Sequence, residues 1–348
     1  MNPATVRSIA VFKLNHLGDA VTFLPTVAGL RAALPDAAIL VVSSAATAVL
    51  YSRSIPGISV LPVNMGTARN GLSAGNLARL AWHLRTKGVD EALLSFDEPA
   101  LAYCAAWLGG ARHRIGFDLC GHRLQPSLTE LIQGGVGRNV VDINFDLVRR
   151  ISGQGDLAPR RVPVGYDSAD QDAVAQRLAT AGIGRGTRFV LLHAHSKHAY
   201  QRWPLANYRA LSARLATAGL PTVALTQGFG QPVGEAVCLD GLTLPQLAAL
   251  SAQARLFIGN NSGPMHVAAS VGTPTLAIQG PTSPEWNIPW KDVPHEHLTA
   301  QNVACVPCDR LGRASDGQCA NHQAPLACMN AVDVDRVFER AHALMAGA

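Results

Sequence analysis

Charged side chains make up only 15% of this chain, and aromatic ones only 5%. A composition so poor in charge and carrying 48% apolar residues excludes a disordered, collagenous or coiled-coil protein. The apolar stretch over residues 37–51 is broken by Ser43, Ser44 and Thr47. It falls short of the ~20 residues that a membrane-spanning helix needs. Lys13 and Asp19 interrupt the first apolar stretch, so no signal-peptide core is expected there. No phosphate loop of the form G-x-x-x-x-G-K-[ST] and no H-E-x-x-H is present, which disfavours NTP hydrolysis and zinc-protease chemistry. The glycines at 182, 184 and 186 precede a strand instead of following one, so they fail as a dinucleotide fingerprint.

Disulfides are not expected either. Seven cysteines is an odd count. Cys104, Cys120 and Cys238 are scattered, while Cys305, Cys308, Cys319 and Cys328 crowd together, and a chain without an export signal belongs in a reducing cytosol. Lysine and arginine exceed the acids by 29 − 24 = 5. That mild excess suits anionic small molecules or an acidic membrane surface and is too small to argue for nucleic acid.

Across its 348 residues, the chain alternates short apolar runs with helical spacing. Residues 9–14, 39–42, 58–63 and 92–96 read as buried strands, and 189–193, 222–225, 256–259 and 275–278 form a second series. Helices are expected over 205–218 and 244–254, from Gly263, and over 332–345 with Asp333 or Asn330 as its cap. Such repetition predicts an α/β fold with parallel sheets covered on both faces. Glycine and proline cluster between Ser152 and Gly165. Two Rossmann-like, doubly wound domains are therefore expected, over 1–160 and 161–330, with a C-terminal helix over 331–348. Ligands in such sheets bind beyond the carboxyl ends of the strands.

Three turns at strand ends carry candidate chemistry. The first, Lys13-Leu14-Asn15-His16-Leu17-Gly18-Asp19, puts a carboxylate at a helix start. Asp19 reads either as a helix cap or as a base for an acceptor hydroxyl. The second, Asn260-Asn261-Ser262-Gly263-Pro264-Met265-His266, leads from a strand into a helix whose unpaired N–H groups favour a diphosphate. Ser262 reads equally as an N-cap and His266 as a core histidine. In the third, His193-Ala194-His195-Ser196-Lys197-His198-Ala199-Tyr200-Gln201-Arg202-Trp203-Pro204, Ser196, Lys197 and Arg202 offer donors to phosphate oxygens. A metal at the three histidines is the minority reading. Cys305-x2-Cys308-x10-Cys319-x8-Cys328 offers four thiolates to zinc or iron, although a second C-x-x-C is missing.

In order and spacing, these motifs resemble glycosyltransferase family 9, the ADP-heptose:lipopolysaccharide heptosyltransferases, over nearly the whole chain. Leu17-Gly18-Asp19, followed by Pro25, Leu30 and Pro35-Asp36, resembles the family's N-terminal signature. Arg112-His113-Arg114-Ile115-Gly116-Phe117 resembles its basic-Ile-Gly-Phe segment, and Arg202-Trp203-Pro204 the end of its phosphate-contacting loop. The stretch over 244–260 with Ser262-Gly263-Pro264-Met265-His266 resembles its donor-site strand, turn and helix. The cysteine-rich region has a counterpart there as well.

The resemblance implies a GT-B fold, with the acceptor on the N-terminal domain and the nucleotide sugar on the C-terminal one. It also implies metal-independent, inverting transfer of heptose or a related sugar from an ADP-sugar to a lipopolysaccharide inner-core acceptor. Asp19 would be the base. Ser196, Lys197, Gln201, Arg202, Asn261, Ser262, Gly263 and His266 would form the donor site. Asn15, His16, Arg112, Arg114 and Arg138 would meet an acidic glycolipid, the three arginines reading equally as solvated surface. No cofactor is expected for catalysis, and any zinc or iron at the cysteines would be structural. The implied location is the cytoplasm, with peripheral contact at the inner membrane.

Two positions depart from the family's usual pattern: Asn261 stands where Asp is frequent, and Gln201 where Lys is frequent. The acidic residue common near the donor ribose is absent around 229–231. A protein or secondary-metabolite acceptor, an epimerase or hydrolase on the same fold, and a weakened nucleotide-sugar-binding protein therefore remain alternatives.

Overall fold

The alternation of apolar runs with helical spacing resolves into two parallel sheets, one in each of two units, Met1–Gly165 and Tyr166–Ala348. The computed structural model describes residues 6–65, 73–118, 124–135, 137–287, 290–308, 319 and 321–347. Cys120 lies outside the described residues.

The first unit runs β1 (Ser8–Lys13), α1 (Leu17–Ala33), β2 (Ala38–Ser44), α2 (Ala48–Ser54), β3 (Ser59–Val63), α3 (Ala74–Thr86), β4 (Glu91–Leu94), α4 (Ala100–Leu108), β5 (His113–Asp118), β6 (Glu130–Gln133) and α5 (Val140–Ser152). Its strands lie in the order β3-β2-β1-β4-β5-β6, all parallel. The order reverses at β1 and β4, which opens a crevice at their carboxyl ends. Ile9, Val11 and Phe12 of β1 are fully buried, as a central strand covered on both faces requires. On one face, Leu80 and Leu84 of α3 and Leu101, Ala102, Ala105 and Ala106 of α4 pack over Ala10, Phe12 and Leu94. Ser73, in a G-L-S-A-G stretch with the spacing of a nucleophile elbow, is the N-cap of α3. Its hydroxyl accepts the Asn76 N–H at 3.2 Å, so it serves a helix start.

The second unit runs α6 (Ser168–Thr180), β7 (Val190–His193), α7 (Leu205–Thr217), β8 (Thr222–Leu225), β9 (Val237–Leu239), α8 (Leu244–Gln253), β10 (Leu256–Asn260), α9 (Gly263–Ser270), β11 (Thr275–Ile278), α10 (Pro284–Asn287), β12 (His295–Leu298), α11 (Ala327–Asn330) and α12 (Val334–Ala346). The order is β12-β11-β10-β7-β8-β9, again parallel. Here the reversal falls between β7 and β10, whose register pairs His193 with Gly259. The turns that leave these two strands are thereby neighbours. Trp203 anchors this edge. Its N–H donates to Asn260 Oδ1 at 2.8 Å and its Nε1 to the Val332 carbonyl at 2.9 Å. α12 packs on α7 within this unit, and the Asp333 side chain accepts the Asp335 N–H at its start. Among the described residues, no helix is long and apolar enough to cross a membrane.

Candidate active site

In the first unit, β1 ends in a lysine that water barely reaches. Lys13 is 2% exposed; its Nζ donates to Ser95 Oγ at 2.9 Å and lies 3.5 Å from Glu98 Oε1. The Ser95 hydroxyl also donates to Glu98. The second Glu98 oxygen accepts the Leu14 N–H at 3.0 Å. Burial pushes the Glu98 carboxyl above its ordinary range, and Lys13, Ser95 and the Leu14 N–H pull it part of the way back. One residue on, Asn15 Nδ2 donates to the Asp97 carbonyl at 2.8 Å. Asp97 holds φ 61, a conformation that costs a non-glycine residue and persists only where its surroundings enforce it. The loop after β4 thus clamps the turn after β1 from below.

That turn presents Asp19. It is the third residue of α1, half-buried, and its Oδ2 accepts the His16 N–H at 3.2 Å. Its other oxygen takes no hydrogen bond among the described residues. Cap and base are therefore compatible roles: one oxygen fixes the helix start, and the other is left to accept a proton.

The three arginines expected at the acceptor are already engaged. Arg112 sits before β5, at the edge where the strands begin, and pairs with Asp90 at 2.7 Å. Arg114 Nε donates to the Ser127 carbonyl and Nη1 to the Ala111 carbonyl, each at 2.6 Å. Arg138 shares Asp142 and Asp146 with Arg149 in a four-membered network. Each spends its charge or its donors on holding the unit together.

In the second unit, the loop after β7 and the turn after β10 converge at adjacent strand ends. His193 Nδ1 lies 3.0 Å from Ser262 Oγ, and that hydroxyl donates to the Asn260 carbonyl at 3.1 Å. The serine has one proton, so His193 donates through Nδ1–H. Burial, with His195 nearby, lowers its pKa to about 3. Ser262 is extended at the start of α9, but its side chain makes no cap hydrogen bond. The hydroxyl is turned away. Pro264 has no N–H and the Met265 N–H donates to the Ser262 carbonyl at 3.1 Å, so the Gly263 N–H is the first-turn donor that the helix dipole offers to an anion.

Ser196 Oγ donates to Gln201 Oε1 at 3.0 Å. Arg202 Nε and Nη2 are tied to the Ser196 and Lys197 carbonyls at 2.7 and 3.4 Å, which fixes a cation beside this loop. Lys197 is exposed and Asn261 half-buried. His266, at 5% exposure, is buried within α9, as Ser196 is in the loop after β7. His195 stacks on Phe229 with ring centres 5.4 Å apart. This pairing, like the clamp by Ser95 and Glu98, escapes a reading of separate motifs. It requires knowing that β7 lies beside β8, and β1 beside β4.

The four clustered cysteines meet in space. Burial and the proximity of Cys305, Cys308 and Cys319 push the Cys328 thiol up to about 11. Asn321 Nδ2 donates to Cys305 Sγ at 3.8 Å and the Leu326 N–H to Cys319 Sγ at 3.4 Å. All four are free thiols. Among the described residues no group of three or more ligating side chains closes to metal-binding geometry, at the cysteines or at the histidines of the β7 loop.

The sequence profile of glycosyltransferase family 9 (heptosyltransferase) matches residues 78–313. Lipopolysaccharide heptosyltransferase 3 of Escherichia coli is 26% identical over 79% of this chain and 84% of its own. Two solved structures share the fold. A family 9 glycosyl transferase from Veillonella parvula has a TM-score of 0.80 at 20% identity, over 98% of both chains. The Escherichia coli ADP-heptose LPS heptosyltransferase II has a TM-score of 0.72 at 18% identity, over 98% of this chain and 99% of that one. With parallel sheets in both units and a family profile that spans more than half of its length, the chain belongs to glycosyltransferase family 9, the GT-B heptosyltransferases of lipopolysaccharide synthesis.

Proposed function

We propose that this protein is an inverting transferase, independent of metal for catalysis, that moves heptose from ADP-heptose to an inner-core lipopolysaccharide acceptor. The observation that carries the reading is Asp19: a carboxylate at a strand's carboxyl end, one oxygen pinned by the His16 N–H and the turn braced by Glu98. The free oxygen takes the proton of the acceptor hydroxyl as that oxygen bonds to the anomeric carbon. The bond from that carbon to the diphosphate breaks, and the electron pair leaves with ADP. The growing charge meets the α9 N–H groups at Ser262 and Gly263, Ser196, Lys197 and Arg202. Donors fixed in advance stabilise charge where it develops and are usually the largest catalytic contribution.

Gln201 stands where the family frequently has lysine and its amide oxygen accepts the Ser196 hydroxyl, which leaves Arg202 and Lys197 to supply positive charge. Asn15 and His16 border the acceptor side. Arg112, Arg114 and Arg138 contribute to the unit's own fabric, since their partners are already in place. The acceptor glycolipid brings the protein to the cytoplasmic face of the inner membrane. The cysteine cluster, if loaded with zinc or iron, serves the fold of the second unit.

The test is ADP release from ADP-heptose with and without a heptose-deficient core glycolipid. Release that depends on the acceptor is expected. Asp19→Asn is expected to lower turnover by at least about 100-fold, within the usual worth of a general base, while ADP-heptose still raises the variant's melting temperature. Unchanged turnover would remove Asp19 as base. ADP release without acceptor would favour a hydrolase instead.

A further inference from the structure

The outer face of α3 and α4 exposes what a protein surface usually hides. Trp82 is 71% exposed, Trp107 59% and Leu108 37%. The helices run the same way, because each joins parallel strands of one sheet, and they pack on each other. A Cβ on Gly109 would lie 2.8 Å from the Leu84 side chain, so those residues are level. Trp82 and Trp107, each two positions earlier, stand at matching heights. Arg85 Nε closes the seam by donating to the Leu108 carbonyl at 2.8 Å. The buried side of α3 is complete without Trp82, being made of Leu80, Ala81 and Leu84.

The charge around the two indoles is of one sign. Residues 74–90 and 100–112 carry Arg79, Arg85, Lys87 and Arg112 against a single carboxylate, Asp90. Arg79, Arg85 and Lys87 are exposed. Indole rings settle at the headgroup level of a bilayer, and basic side chains beside them pair with lipid phosphates.

We propose that this face, Trp82 and Trp107 with Arg79, Arg85 and Lys87, rests on an anionic phospholipid bilayer. The inference deepens the membrane part of the function proposed above and rests on that reading only for the acceptor being a lipid. The indoles enter the interface, the cations hold the phosphates, and the contact weakens with salt because exposed charges are screened.

The full-length protein is sedimented with vesicles of phosphatidylcholine alone and of phosphatidylcholine mixed with phosphatidylglycerol. Salt-sensitive binding to the mixed vesicles is expected, with a blue shift of tryptophan fluorescence. The double variant R79E/K87E is expected to lose at least about 25-fold in partitioning, since each basic residue near an anionic surface contributes about fivefold. W82A/W107A is expected to lose both binding and the blue shift. Both variants should melt like the parent, because all four side chains are exposed.

Absence of binding that depends on phosphatidylglycerol would overturn the proposal, as would binding that both variants keep. A self-association abolished by W82A/W107A, without vesicle binding, would make the face an interface between copies and also overturn it. Transfer to a water-soluble acceptor fragment is assayed on the same samples. Vesicle binding without transfer sinks the enzymatic reading alone, and transfer without vesicle binding sinks this surface alone.

Discussion

Lys13 and Glu98 form a buried ion pair at the start of the turn that leads to the residue proposed as base, and buried pairs are expensive. Each charge must be taken out of water, and the mutual attraction repays that only when the remaining polar atoms are also satisfied. Here they are: Ser95 bridges the two and Glu98 also holds the Leu14 N–H. The pair therefore fixes a geometry more than it adds stability. Glu98→Leu alone leaves Lys13 charged and stranded, and is expected to cost about 3–5 kcal/mol in urea unfolding, the usual range for breaking one side of such a pair. Lys13→Met should cost a similar amount. The double variant should cost clearly less than the two together, because neither charge is left without its partner. Simple additivity would mean that the two side chains act independently.

Between elements, α1 and α5 meet in the first unit along a close seam. A Cβ at Gly29 would lie 2.9 Å from Phe145 Cε2 and 3.1 Å from both Val148 methyls, so the helices meet where α1 has no side chain. Alanine in mid-helix usually gains up to about 1 kcal/mol over glycine. Gly29→Ala should instead be neutral to destabilising by about 1–2 kcal/mol, since overpacking a close seam costs about 1–3 kcal/mol. Gly29→Ala with Phe145→Leu should recover part of that in thermal unfolding.

The same seams explain what could be read beforehand. Central strands such as β1 and β10 are buried on both faces and announce themselves as apolar runs. The edge strands β6 and β12 read Glu-Leu-Ile-Gln and His-Glu-His-Leu and are only partly buried, so their pairing comes from the sheet and leaves no apolar run. The turn at Asp19 and the Ser196–Arg202 loop were legible as strand-end turns because glycine, aspartate and serine punctuate strand ends. Glu98 was not, since it stands 84 residues from Leu14 and meets it only because β4 lies beside β1. The partners of Arg112, Arg114 and Arg138 were not legible, because a cation in the sequence does not show the aspartates and carbonyls that the fold brings to it.

For the whole molecule, acid stability should be governed by buried neutral histidines. Burial, reinforced by His195, holds the His193 pKa at about 3, and burial, with His297 and His266 nearby, holds His295 at about 4, against an ordinary 6.5. Unfolding frees both to take up protons that the native state refuses. A base with a depressed folded pKa contributes stability fully above its unfolded value and loses it as pH falls. The window therefore opens near pH 6.5, closes for His295 near 4 and for His193 near 3. Inside it each histidine adds a slope of about 1.4 kcal/mol per pH unit. Glu98 and Glu91, both raised by burial, work the other way, because their native state binds a proton more readily than the unfolded chain. Against them, His195, His198 and His297 are also held down by burial and act in the same direction as His193 and His295. Unfolding free energy measured in urea should thus be flat above about pH 7 and fall steadily from 6.5 towards 4. His193→Asn, whose amide can still donate to Ser262 Oγ, should flatten that fall by about one proton's worth. An unchanged slope in His193→Asn would mean that His193 takes up its proton in the native state, and the neutral donor assigned to the Ser262 turn would have to be abandoned.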